Sequence, residues 1–100
     1  MMNPSEHYRA AATELTQLAA ALESGDTDAG TALGTAIRLL ERLTEVEPQQ
    51  GTAEALHGLG ERLRAAGTTS PEKLHEIVGA LHHVAQNHYD LEGGLGAQWA

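Results

Sequence analysis

Histidine is the residue type whose number and spacing could best support chemistry in this chain. The six histidines are His7, His57, His75, His82, His83 and His88. Two Glu-x-x-His runs, Glu54–His57 and Glu72–His75, place a carboxylate and an imidazole one helical turn apart, as in di-iron helix bundles. Each run lies at the start of a predicted helix, and these two helices should be antiparallel. The two Glu/His pairs would therefore lie at opposite ends of a helical hairpin. The spacing therefore argues against a di-iron centre.

A looser metal site is an alternative that the sequence leaves open. If the helices on either side of Thr69 formed a hairpin, His57 would lie opposite residues near Leu81. A zinc or nickel ion could then be held by a carboxylate and imidazoles from both helices, namely Glu54, His57, His82 and His83. The favoured interpretation is solvated or partly buried histidines. His88 falls in the apolar register of the last helix, so it should need a buried hydrogen-bond partner.

Catalysis by a nucleophile has no support in the sequence. There is no Cys, which excludes a thiol nucleophile, a Cys-ligated zinc site and disulfides. Ser5, Ser24 and Ser70 all fall at predicted helix ends, and neither a Gly-x-Ser-x-Gly nor a phosphate-binding glycine loop occurs. We therefore expect a non-enzymatic protein without a cofactor.

Length and charge restrict the class of protein further. The chain has 100 residues, enough for one domain, and its net charge is −8. This charge disfavours nucleic acid, because few cations are present to displace the counterions of a phosphate backbone. No apolar run approaches the roughly 20 residues of a membrane span, and the N-terminus lacks the pattern of a secretory signal. The sequence predicts a cytoplasmic protein, with leaderless secretion as an alternative.

The elements that must position these side chains are helices, because apolar residues recur with a 3.6-residue period in four segments. The predicted helices span residues 4–24, 27–46, 52–66 and 71–91. Their expected N-caps are Asn3, Asp26 or Thr27, Thr52 and Ser70. Their expected ends are Gly25, Pro48, Gly67 and the Gly93-Gly94 pair. We expect an all-α antiparallel four-helix bundle over residues 1–92, followed by a glycine-rich tail over 93–100.

The predicted core is thin, which favours association with a second protein. Without Phe, and with Trp99 in the tail, the interior must consist of Leu, Ala, Ile and Val. An Ala buries much less area than a Leu, whose burial is worth about 1.5–3 kcal/mol. A homodimer or a protein partner would add burial, and the tail could either cap the bundle or anchor a partner. The predicted contact residues are Leu40, Leu43, Leu81, Leu91, Leu95 and Trp99.

The segment Ala85-Gln86-Asn87-His88-Tyr89-Asp90-Leu91-Glu92 resembles the last helix of the WXG class, the small helical proteins secreted by type VII systems. The resemblance implies two long helices and secretion without a leader peptide. Two positions depart from the class. Pro48-Gln49-Gln50-Gly51 stands where the class has its Trp-x-Gly turn, and Gly93 stands where it has an acid four residues after Tyr. A type VII-secreted protein is therefore a second alternative to a protein-binding bundle.

Overall fold

The computed structural model describes the backbone of residues 4–99 and the side chains of residues 4–88. Four α-helices follow one another: α1 (Pro4–Ser24), α2 (Ala29–Val46), α3 (Gln50–Ala66) and α4 (Pro71–Trp99). No strand occurs over residues 4–99. The predicted all-α four-helix bundle is confirmed, and the two long helices implied by the type VII resemblance are not seen. None of the described helices is long and apolar enough to cross a membrane.

Three of the predicted helix-end signals act as expected. Gly25 and Gly67 adopt left-handed φ angles of 83° and 72°, a conformation that costs glycine no steric penalty. The amide of Gly67 donates to the carbonyl of Leu63 and closes the last turn of α3. At the start of α4, the Ser70 hydroxyl accepts a hydrogen bond from the amide of Lys73, at 3.2 Å.

Two predicted caps are wrong by one to three positions. Asp28, not Asp26 or Thr27, caps α2: its backbone is extended, and its carboxylate accepts from the Thr31 amide at 2.7 Å. In α3 the residue that precedes the first turn is Gln49, because the Ala53 amide already donates to the Gln49 carbonyl at 2.9 Å. Helical hydrogen bonding therefore begins before Thr52 and leaves it inside the helix.

Helix α4 also continues past its predicted end at residue 91 and runs to Trp99. Each glycine of the Gly93-Gly94 pair disfavours helix by about 1 kcal/mol relative to Ala. Extending a helix that already exists requires no new nucleation, so two glycines need not stop it. The backbone over 93–99 is therefore helical. The side chains of Leu91, Leu95 and Trp99 lie outside the described part.

The helices form a linear series of packed pairs. Helix α4 packs along α1, α2 packs on both α1 and α3, and α3 is not closely paired with α4 in the described residues. Glu23 lies near His75 at one end and Tyr8 near His88 at the other, so α1 and α4 are antiparallel. Ala-rich α1 presents little side-chain bulk, which lets α4 approach closely. The molecule is elongated, with extents of 50 × 25 × 23 Å, because α4 has 29 residues and spans most of the long dimension.

One continuous core runs through the series. Its largest fully buried side chains come from α1, α2 and α4: Tyr8, Leu15, Leu40, Leu74, Ile77 and Leu81. The third helix contributes only Leu56 and Leu63 as buried residues. Helix α3 is thus held mainly through one face and one neighbour, α2.

Candidate functional site

A buried polar cluster joins the first turns of α1, the end of α2 and the interior of α4. Glu47, the residue after α2, accepts hydrogen bonds at Oε1 from the Tyr8 hydroxyl of α1, at 2.5 Å, and from His88 Nε2 of α4, at 2.7 Å. Its Oε2 accepts from the Gln49 amide at 3.0 Å. The Tyr8 and His88 rings are stacked, with centroids 5.6 Å apart and an interplanar angle of 24°. We call Tyr8, Glu47 and His88 the buried triad.

The carboxylate of Glu47 is held charged in this enclosed place. Burial alone would raise the pKa of Glu47, but the hydrogen bonds from Tyr8, Gln49 and His88, with the electrostatic attraction of His88, lower it overall. The pKa of Tyr8 is raised well above its usual value by burial and by the adjacent carboxylate, so its hydroxyl stays protonated. Since the carboxylate can only accept, His88 Nε2 must carry a proton.

The buried triad fits a structural role better than a chemical one. The side chain of Glu47 is 0% exposed and that of His88 is 8% exposed, while Tyr8 is also 0% exposed. A substrate would need these groups within about 3 Å, and the surrounding helices close off that approach. The cluster instead satisfies three polar groups at once and fixes the start of α1 and the end of α2 against the interior of α4.

An open groove of about 310 Å³ between α2 and α3 is accessible from the surface of the described structure. Ile37 and Leu40 of α2 and Leu56 of α3 give it an apolar floor, and Gly60 lowers one wall. Charged side chains form the rim: Glu41, Glu45, Glu61 and Arg64. A second hollow of about 220 Å³ lies between α1 and α2 beside His7 and Glu14. We refer to the first as the α2–α3 groove.

The rim of the α2–α3 groove is negatively charged on balance. Arg64 reaches across from α3 to Glu41 at 2.8 Å and also lies 3.3 Å from Glu61 on its own helix. One guanidinium is therefore shared by two carboxylates. Glu45 is exposed and has no ion-pair partner among the residues whose side chains are described. An incoming group would meet an apolar surface bordered by excess negative charge.

The predicted contact residues are divided between the core and the end of α4. Leu40, Leu43 and Leu81 are buried within the single chain, so only the edge of Leu40 reaches the α2–α3 groove. Leu91, Leu95 and Trp99 fall where side chains are not described. Whether the tail caps the bundle or binds a partner stays a prediction.

The predicted metal residues are not brought together. Glu54 and His57 are exposed on α3, and His82 and His83 are exposed on α4, which packs on α1 rather than on α3. Glu54 instead accepts a hydrogen bond from the side-chain amide of Gln50 on its own helix, at 3.3 Å. Over residues 4–88, no group of three or more His, Cys, Asp or Glu side chains could hold a metal ion.

Sequence reasoning found one member of the buried triad and missed how the others contribute. The apolar register of His88 correctly predicted a buried hydrogen-bond partner. The periodicity of α1 predicts only that Tyr8 lies on its apolar face, and Pro48 predicts only that Glu47 begins a loop. The available signal was that a tyrosine hydroxyl and an imidazole, both in apolar register, each need a hydrogen-bond partner when buried.

Comparison with known proteins adds no identification, since no protein-family model, curated protein or solved structure matches this chain.

Proposed function

We propose that this chain is a non-enzymatic, cytoplasmic helical-bundle protein that acts by protein–protein association. The observation that carries the proposal is the α2–α3 groove, which combines an apolar floor with a charged rim. Protein-binding surfaces commonly have this organisation, with an apolar centre and a polar border.

The packing of α3 supports the same function. Helix α3 buries only Leu56 and Leu63 and has one close neighbour, so much of its surface is free to meet another protein. Leu59 of α3 and Ile37 of α2 are only partly buried against the core. Apolar side chains of this kind gain further burial when a partner covers them, at about 25 cal/mol for each Å² removed from water.

Site-specific photo-crosslinking in the cells that express the gene tests this proposal. A photoreactive residue is introduced at Glu45, on the rim of the groove, and at Ala80, an exposed position of α4, as the matched control. We expect a discrete adduct from position 45 and none from position 80. An adduct at twice the chain mass of 10.6 kDa would assign the role to self-assembly into a dimer.

Two results would count against the proposal. Equal labelling from both positions would mean that the groove is not the binding surface. Failure to capture any protein from position 45, and from one exposed position on each helix, would remove protein association as the function.

A further inference from the structure

Gly60 lies in the wall of the α2–α3 groove without any internal reason to be glycine. It sits inside α3 with ordinary backbone angles, and a Cβ added there would meet nothing within 4 Å. Glycine at such a position weakens a helix relative to alanine. Gly34, Gly51, Gly58 and Gly79 are equally open, so open space alone does not indicate a partner. Gly60 differs from them because it lines the α2–α3 groove. A close approach by a backbone from outside would compensate there for the loss of helix stability, because only glycine has no Cβ at the helix surface.

The charges around Gly60 indicate the chemistry of what approaches. Three carboxylates border the groove, and its basic lining residues are Arg64 and His57, of which only Arg64 carries a permanent charge. Because Arg64 is already engaged by Glu41 and Glu61, an occupant carrying Lys or Arg beside an apolar stripe would be attracted. An acidic occupant would be repelled.

We propose that the α2–α3 groove binds a basic amphipathic helix of another protein, which packs its apolar stripe on Ile37, Leu40 and Leu56 and crosses closest at Gly60. This inference rests on the proposed function and specifies the partner. Helix-in-groove recognition of this kind uses apolar anchors at i, i+3, i+4 and i+7. The lining residues of α3 run from Leu56 to Arg64, so the groove wall is about 12 Å long, which matches a little over two turns of a bound helix.

A second copy of this chain is a poorer occupant. The chain carries 14 acidic and only 6 basic residues, for a net charge of −8. Its own helices would therefore bring like charge to an acidic rim, which costs binding free energy. A homodimer through the groove becomes one of the outcomes that the test distinguishes.

The test uses the full chain and a designed peptide of about 18 residues, long enough for five helical turns. The probe has a leucine stripe flanked by lysines. One control peptide has the same stripe flanked by glutamates, and another has the lysine composition in scrambled order. Titration followed by amide chemical shifts should give saturable 1:1 binding of the lysine-flanked peptide alone. The shifts should centre on the residues of the groove.

Two pairs of variants separate binding from folding. Gly60→Ala should raise the thermal midpoint yet weaken peptide binding about tenfold, because the new methyl group occupies the closest approach. Gly79→Ala, at an exposed and equally open position of α4, should raise the midpoint and leave binding unchanged. Glu45→Lys should weaken binding about three- to tenfold. Glu76→Lys, the same change on α4, should have little effect.

Equal binding of the glutamate-flanked or the scrambled peptide would overturn the proposal, as would full affinity in Gly60→Ala. A second outcome would overturn this inference while leaving protein association intact: a partner captured by crosslinking from position 45 that the lysine-flanked peptide does not displace. If the parent protein dimerised and Gly60→Ala abolished the dimer, the occupant of the groove would be a second copy of this chain, and the proposal would be overturned.

Discussion

A single carboxylate, that of Glu47, accepts hydrogen bonds from three donors in this protein. Glu47 accepts hydrogen bonds from side chains 39 and 41 residues away in the sequence, and from the Gln49 amide beside it. The Tyr8 hydroxyl and His88 Nε2 are buried, so both would be left without an acceptor away from water if the carboxylate were lost. The energetic importance of Glu47 therefore comes from the groups it satisfies more than from its own burial.

We expect Glu47→Ala to lower the free energy of unfolding by about 3 kcal/mol, since it orphans the Tyr8 hydroxyl and His88 Nε2. Tyr8→Phe removes one donor and keeps the ring, and should cost about 1 kcal/mol. Urea unfolding followed by circular dichroism measures both. Glu45→Ala, an exposed carboxylate two positions earlier, is the control and should stay within about 0.5 kcal/mol of the parent protein. A Glu47→Ala protein as stable as that control would contradict the role of the buried triad.

The lowered pKa of Glu47 has a definite consequence for stability in acid. A carboxyl group whose folded-state pKa lies below its usual 4.5 stabilises the fold above that value, and the contribution is lost as the pH falls through the folded-state pKa. The stability advantage of the parent protein over Glu47→Gln should therefore shrink between about pH 5 and about pH 3. The difference between the urea midpoints of the two proteins, measured across that pH range, tests this expectation. An advantage that stays constant would show that the charge of Glu47 does not contribute.

At the scale of the elements, short local signals set where helices begin and end. Ser70 caps α4 through the Lys73 amide, while Gly25 and Gly67 provide the left-handed residues that follow α1 and α3. The sequence shows these signals directly because each involves residues at most four apart. The cap of α2 was misplaced for the same local reason: Asp26, Thr27 and Asp28 are all competent caps, and only the backbone conformation selects among them.

Ser70→Ala should destabilise the protein by about 1 kcal/mol, because the Lys73 amide in the first turn of α4 loses its acceptor. Thr68→Ala lies two residues away in the same exposed loop and serves as the matched control, with an expected effect within about 0.5 kcal/mol. Thermal and urea unfolding of the two variants, run side by side, make the comparison. Equal stability of Ser70→Ala and Thr68→Ala would contradict the cap.

At the scale of the whole molecule, the linear order α3–α2–α1–α4 decides which surfaces remain open. The first and last helices form a long antiparallel pair, and α2 carries α3 on its other side. The histidines of α3 and α4 are separated by this order, and the α2–α3 groove stays accessible. Within the part of the chain that the structure describes, the same order leaves α3 with a single close neighbour, which is the structural basis of the proposed binding surface.

The hydrophobic core to which all four helices contribute should be intolerant of charge. Leu81 of α4 is almost fully buried, so Leu81→Asp would place an unpaired carboxylate among apolar side chains and cost about 4 kcal/mol or more. We expect loss of the helical circular dichroism signal or of the cooperative unfolding transition. His82→Asp changes the next residue, which is exposed, and should remain folded. A Leu81→Asp protein that stays folded with unchanged mass would contradict the core assignment.

The sequence is enough to predict the all-α class, the number of helices and most of their boundaries, because helical periodicity and end signals act over a few residues. It also determined that His88 needs a partner, because a polar group at an apolar register position cannot be left unsatisfied. The excess of carboxylates over cations was likewise evident without coordinates.

Only the tertiary structure decided which helices pack together and which acid serves His88. A short connection between α3 and α4 suggested a hairpin, yet the small side chains of α1 admit α4 more closely. That choice separates Glu54 and His57 from His82 and His83, and it brings Glu47 against Tyr8 and His88. Contacts across about 40 residues depend on the fit of whole helix faces, which no local pattern encodes.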